Sequence, residues 1–371
     1  MFTFVVTHTD GSSLARCGLI ETAHGTVKTP CFMPVATQGA VKAVDGDEVL
    51  EAGFRMVIVN SYHMMLRPGI EVVERMGGLH AFMSWPHAIA TDSGGFQALS
   101  LSRKRTITDE GIRFQSHIDG TEYMLTPELS VVVQASLASD VMMCLDECPP
   151  YPADRSYIER SVRLTERWAE QCLEYAGSRR GGLFAILQGG VYTDLRGSTA
   201  RRMASMEFDG FAIGGLGVGE SAPERVRAVD ACMEFLPDSK PRYLMGVGTP
   251  ADIVRAVMQG VDMFDCVLPT RNARRGTLFT NWGKLVIKNA RYAGDPRPID
   301  EHCSCRVCRT YSRAYLRHLF MAGEVGVLRL LTLHNLHYYS TLMARMHEAI
   351  ERGEFASWAG AVLESETEED V

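Results

Sequence analysis

A chain of 371 residues with a formal net charge of −7 and an ordinary globular composition suits one large domain with additions, and its apolar runs are too short to span a bilayer. The opening MFTFVVTHTD lacks the basic start and long apolar core of a secretion signal, so a cytoplasmic location is expected, in which ten cysteines act as thiols or metal ligands rather than disulfides. The charge is uneven: between Arg271 and Arg317 eleven Lys/Arg meet three Asp/Glu, a local excess of +8 that leaves the remainder near −15, and a basic face on an acidic body can bind phosphate.

Residues 1–40, with Gly25-Thr26-Val27-Lys28-Thr29-Pro30 in the middle, read as a small β-rich segment that caps the bottom of the main domain. From Arg55 to Asn289 one pattern recurs eight times, a short apolar, β-branched run that stops on a polar residue or glycine and leads into a helix-like stretch. The runs are RMVIVN (to Asn60), AIATD (Asp92), VMMCLD (Asp146), GLFAILQ (Gln188), GFAIGG (Gly215), RYLMGVG (Gly248), MFDCVLP (around Asp265) and KLVIKN (Asn289). Without clean polar and apolar alternation, such runs suit parallel strands buried on both faces. The predicted fold is α/β, a (β/α)8 TIM barrel over 41–292 whose C-terminal strand ends bring Asp92, Asp146 and Asp265 to one mouth. Helices are expected from Pro127 to Leu137, with Thr126 as N-cap, and from Tyr157 to Tyr175.

After Asn289, Gly294, Pro296 and Pro298 lead into a C-terminal subdomain over 293–371 that ends in long helices and the acidic run ESETEEDV, expected to fray. Within it Cys303-Ser304-Cys305-Arg306-Val307-Cys308 gathers three thiols, and His334 comes after a helix-length interval. Three thiolates and one imidazole form a closed tetrahedral zinc site with no place for water, hence a structural one, fixing the basic surface against the barrel. His302, His318 and His337 are competing candidates for the fourth ligand. Cys17, Cys31, Cys144, Cys172 and Cys232 read as small buried hydrophobes. His63 and His80 read as hydrogen-bonded structural histidines.

A lone aspartate at a strand end is more often a turn or cap residue than a catalyst; three in one mouth, flanked by glycine motifs, are different. The segments Asp92-Ser93-Gly94-Gly95-Phe96-Gln97, Asp146-Glu147-Cys148-Pro149, Leu187-Gln188-Gly189-Gly190, Gly214-Gly215-Leu216 and Phe264-Asp265-Cys266-Val267-Leu268-Pro269-Thr270-Arg271, with the cysteine cluster, resemble bacterial tRNA-guanine transglycosylase over nearly the whole chain. That resemblance implies a pentosyltransferase of queuosine biosynthesis. It exchanges guanine at the anticodon wobble position of tRNAs with a GUN anticodon (Asp, Asn, His, Tyr) for preQ1, 7-aminomethyl-7-deazaguanine. It also implies one structural zinc per subunit, no nucleotide cofactor and a homodimer.

By the same resemblance, Asp265 is the nucleophile that attacks ribose C1′ and forms a covalent tRNA intermediate, and Asp92 is the general acid/base. Guanine presents N1–H and N2–H as donors, which an ionised Asp146 can accept; its O6 suits the Gln188 amide and the Gly215 N–H. Ser93, Gly94, Gly95 and Gly214 complete the base pocket, Phe96 and Met245 sandwich the ring, the Leu216 carbonyl faces the aminomethyl cation, and Asn60 holds Asp92. RNA contacts are expected at Val247, Gly248, Thr249, Arg271, Asn272, Ala273, Arg274 and Arg275, with Lys284, Lys288, Arg306, Arg309 and Arg313 as further phosphate contacts. Arg275 departs from an asparagine usual in the family, and Tyr311 from a tryptophan in the dimer contact of some members. Cys148 and Val218 match the pattern that accepts preQ1 rather than queuine. The alternatives are use of queuine itself, a different exchanging type with added C-terminal RNA-binding domains, a non-catalytic zinc-bearing subunit that binds tRNA, and a barrel glycosidase.

Overall fold

The computed structural model describes residues 2–102, 104–177 and 181–367; of the acidic run 364–371, where fraying is expected, 364–367 end the helix Phe355–Thr367 and 368–371 lie outside the described residues. Eight parallel strands close on one another: Cys31–Ala36, Met56–Val59, Ala88–Thr91, Val141–Met143, Gly182–Leu187, Gly210–Ile213, Arg242–Leu244 and Met263–Cys266. The last returns to the first, with Asp265 opposite Met33. Met33, Ile58, Ala90, Met143, Ile186, Ala212, Tyr243 and Met263 fill the barrel. Their neighbours Val57, Val59, Ile89, Leu187, Ile213, Leu244 and Phe264 pack outward against the helices. Both faces are apolar, so the runs do not alternate; period two nonetheless carries Asn60, Asp92, Gln188, Gly214, Met245 and Asp265 inward at the C-terminal mouth.

Two strand assignments change. Gly283–Val286, the core of KLVIKN, pairs antiparallel with Thr277–Thr280 outside the barrel. There Leu285 is buried between exposed Lys284 and Val286, the alternation of a half-solvated ribbon. The first barrel strand is instead Cys31–Ala36, which the reading of 1–40 as one capping segment had absorbed. Pro30 and Pro34 disguise it, yet the Cys31 N–H donates to the Asp262 carbonyl at 2.8 Å, and a proline that lacks a donor is tolerated near a strand end. The capping sheet proper is Thr3–Thr9, Arg16–Thr22 and Gly25–Thr29. Asp92 therefore comes after the third strand, Asp146 after the fourth, and Asp265 lies within the eighth.

The helix Pro127–Ser136 starts as expected, the Thr126 hydroxyl accepting from the Leu129 N–H at 3.1 Å, and the long helix Arg155–Ala176 spans its expected segment. A three-stranded sheet of Arg105–Ile107, Ile112–Gln115 and Glu122–Leu125 rises from the mouth after the third strand; its strands are too short to stand out in the sequence. The helix Val325–Glu351 joins the C-terminal subdomain to the barrel. Its Asn335 amide donates to the Pro269 carbonyl at 2.9 Å and accepts from the Phe279 N–H at 3.1 Å, and its Tyr339 hydroxyl donates to the Gly248 carbonyl at 2.6 Å. Among the described residues no helix is long and apolar enough to cross a membrane.

Candidate active site and metal cluster

Three carboxylates line the barrel mouth, Asp92 and Asp146 buried and Asp265 partly buried, and among the described residues none has an arginine or lysine partner. Asp92 is held at both oxygens. Oδ1 accepts from the Ser61 backbone N–H at 2.9 Å and hydroxyl at 3.2 Å; Oδ2 accepts from the Gln97 amide at 2.9 Å and, more closely, from the Asn60 amide. Burial pushes its pKa up, these donors pull it back, and the charge of Asp265 raises it further.

Asp265 is held at one oxygen only. Oδ1 accepts from the Tyr243 hydroxyl at 2.5 Å and the Gly246 backbone N–H at 2.8 Å, while Oδ2 has no hydrogen bond among the described residues. Burial raises its pKa against these two donors, which favour the anion. The geometry is that of a carboxylate oriented through one oxygen and available to react through the other.

Asp146 lies just past the strand Val141–Met143. Its Oδ1 accepts from the Ser93 hydroxyl at 3.1 Å and its Oδ2 from the Gln188 Nε2 at 2.8 Å. Burial, with the charges of Glu147 and Asp92 added, pushes its pKa up to about 6. Gln188 is fully buried, and its Oε1 has no hydrogen-bond partner among the described residues. Gly215, at φ +66°, lies so close that a Cβ there would sit 2.3 Å from that Oε1, so only glycine fits. At Gly95 a Cβ would come within 2.8 Å of the Asp146 carbonyl. Gly94 precedes the helix Gly95–Leu101, Phe96 stands half-exposed on its first turn, Met245 is partly buried, and Leu216 is buried.

Several residues at this site escape sequence reasoning. Gln97 sits on the first turn of the helix Gly95–Leu101 that follows Asp92, and Tyr243 shares the inward parity of Met245; both placements are visible in the sequence. Ser61 and Arg196 carry no such signal. Arg196 is fully buried beneath the Gln188 turn, its Nε and Nη1 each donating at 2.8 Å to the Gly190 and Leu187 carbonyls.

Residues 10–368 match the family model described as queuine tRNA-ribosyltransferase. The chain belongs to the queuine tRNA-ribosyltransferase family. It is similar to the queuine tRNA-ribosyltransferases of Syntrophobacter fumaroxidans (53% identity over 94% of each chain), Caldanaerobacter subterraneus subsp. tengcongensis (52% over 92% of each) and Dinoroseobacter shibae (50% over all of this chain and 98% of the relative).

In this member of the queuine tRNA-ribosyltransferase family the basic surface borders the mouth. The helix Leu268–Arg274 comes directly after the strand of Asp265. Arg271 and Arg275 are exposed, and Arg274 is half-buried with Nη1 lacking a partner among the described residues. Other expected RNA contacts are packed away: Val247, Gly248 and Ala273 are buried, and a Cβ on Gly248 would meet the Cys266 Sγ at 2.3 Å. Thr249 caps the helix Pro250–Met258 and donates to Asp252 at 2.6 Å. Arg313 is also buried, bonded to the Asp295 carboxylate and the Ile299 carbonyl, so it supports the subdomain rather than facing solvent.

The Sγ atoms of Cys303, Cys305 and Cys308 lie 3.8, 3.6 and 3.3 Å from the His334 Nδ1. The other His334 nitrogen, Nε2, donates to the Phe279 carbonyl at 2.7 Å; this leaves the Nδ1 lone pair aimed at the sulfurs, as a ligand needs. These four residues form a cluster able to hold a metal ion, and His302, His318 and His337 lie outside it. Cys17, Cys31, Cys144, Cys172 and Cys232 are buried thiols. His80 is hydrogen-bonded, to Asp140 at 3.0 Å; the buried His63 Nδ1 has no partner among the described residues, against expectation.

Proposed function

We propose that the protein exchanges guanine at the anticodon wobble position of tRNA for preQ1, by way of a covalent aspartyl-ribose intermediate. The observation that carries this reading is the pair of unlike carboxylates, Asp265 with a free Oδ2 and Asp92 with both oxygens held. Asp265 Oδ2 attacks ribose C1′ as the bond from C1′ to guanine N9 breaks, and protonated Asp92 gives its proton to the departing base. PreQ1 then enters, Asp92 takes the N9 proton, N9 attacks C1′, and Asp265 leaves as carboxylate. Two displacements restore the original configuration. Raised pKa values suit Asp92 to this proton traffic.

Asp146 reads the N1–H and N2–H edge once ionised, and the Gln188 amide and Gly215 N–H meet O6. The Leu216 carbonyl receives the aminomethyl cation, favoured by three carboxylates with no neighbouring cation. Arg271, Arg274 and Arg275 grip the anticodon loop of tRNAs with GUN anticodons. Three thiolates and one imidazole fit zinc, which would serve as a closed structural centre, Cys303, Cys305, Cys308 and His334 holding it and the long helix transmitting that order to Pro269 and the arginines behind it. A homodimer completes the reading.

The test supplies unmodified tRNA with labelled guanine, preQ1 or queuine. Incorporation of preQ1 into the anticodon and displacement of pre-loaded guanine are expected; no exchange with any base, or queuine outcompeting preQ1, would overturn it. Metal analysis of Cys303→Ala is expected to give loss of zinc, and retained stoichiometric zinc would refute the metal assignment.

A further inference from the structure

At the N-terminal end of the barrel, opposite the mouth, three distant segments bring two imidazoles onto one buried carboxylate. Asp140 immediately precedes the strand Val141–Met143, His24 lies in the turn between the strands Arg16–Thr22 and Gly25–Thr29, and His80 belongs to the helix Leu79–Met83. His24 Nδ1 is 2.8 Å from Asp140 Oδ1 and His80 Nε2 is 3.0 Å from Asp140 Oδ2, with the rings stacked at 3.4 Å and 15°. All three ligating atoms lie within 4.8 Å of one another. A further imidazole stands beside the same turn: a Cβ on Gly25 would meet the His87 Nδ1 at 3.9 Å.

We propose that His24, His80 and Asp140 bind a divalent transition-metal ion at the N-terminal face of the barrel. Two imidazole nitrogens and a carboxylate oxygen are the donor set of zinc, cobalt and nickel rather than of magnesium or calcium. The carboxylate is 2% exposed and already oriented by the Ile89 N–H at 2.9 Å. His24, 35% exposed, opens the site to solvent and leaves a coordination position for water, unlike the closed cysteine cluster. In the ion-free arrangement each ring proton lies toward the carboxylate. To bind, each of these nitrogens gives up the proton it shares with the carboxylate, and the rings open from their stack so that both lone pairs converge. His24, on the exposed turn, is the ring free to swing. The ion would tie the N-terminal sheet to the third and fourth strands, a stabilising role of the kind this face of a barrel serves.

The test uses the full chain with its cysteine cluster loaded, titrated with Co2+ and monitored by absorption and metal analysis. Wild type is expected to take up about one further equivalent, giving the d–d bands of nitrogen and oxygen ligation without new thiolate charge-transfer absorption. His24→Ala should weaken this uptake by more than ~10-fold while the cysteine-bound metal stays; His80→Ala gives the same result if His24→Ala disturbs the turn. The proposal is overturned if wild type takes no second equivalent, or if both variants bind it as wild type does.

Discussion

Asp262 and Asp265 lie three residues apart, Asp262 fully buried just before the strand Met263–Cys266 and Asp265 partly buried within it. Asp262, at the bottom, takes a two-pronged bond from Arg16 at 2.7 and 2.9 Å and accepts the Arg242 N–H at 2.7 Å. Asp265, at the mouth, has only a hydroxyl and one backbone N–H on a single oxygen. Burial pushes both pKa values up, so titration behaviour does not separate them; their partners do. A carboxylate neutralised by a guanidinium braces the barrel, and one left without a cation is available for chemistry.

The sharpest way to break that contrast is to neutralise each member. Asp265→Asn should lower base exchange by ~10³-fold or more while stability stays within about 1 kcal/mol of wild type or rises, since a costly buried charge is removed; kinetics and urea unfolding on one preparation check both. Arg16→Ala should do the reverse. It strands Asp262 as a buried unpaired charge and should cost about 3–5 kcal/mol, with kcat of the folded fraction little changed.

A third expectation concerns pH. Asp146 must be ionised to accept the guanine edge, so KM for the base should fall as pH rises through about 6 and level off above it. Asp146→Asn should flatten that profile at a high KM. The stability effect has the opposite sign: with a folded pKa raised from 3.8 to about 6, Asp146 favours the fold at pH values below the unfolded pKa, and that contribution fades as pH climbs through about 6. A smaller effect is expected from Tyr243→Phe, which removes one of two donors to Asp265. Exchange should slow about 10-fold, and the acid limb of the rate profile should move to higher pH, because the anion loses a hydrogen bond that favoured it.

The barrel was legible because runs such as RMVIVN and GLFAILQ are apolar on both faces, the mark of a parallel sheet. The same rule misread KLVIKN, whose Lys284 and Val286 face solvent around Leu285, and passed over CFMPVA because Pro34 interrupts it. Asp92, Asp146, Gln188 and Gly215 were legible through long motifs, and Asn60 through resemblance. Arg196 and Ser61 were not, since a buried guanidinium bonding to carbonyls and a backbone N–H reaching a side chain leave no spacing signature. Val247, Gly248 and Ala273 were expected at the RNA through the resemblance; their burial depends on packing against neighbours such as Cys266, which adjacency in sequence does not encode.

The most direct test is to trap the covalent intermediate. Protein, an anticodon stem-loop and preQ1 are mixed and quenched under denaturing conditions, and the cross-linked peptide is identified by mass spectrometry. The adduct is expected on Asp265 in wild type and absent from Asp265→Asn. An undiminished adduct in that variant, or one mapping to Asp92 or Asp146, would contradict the assignment of the cation-free carboxylate as nucleophile.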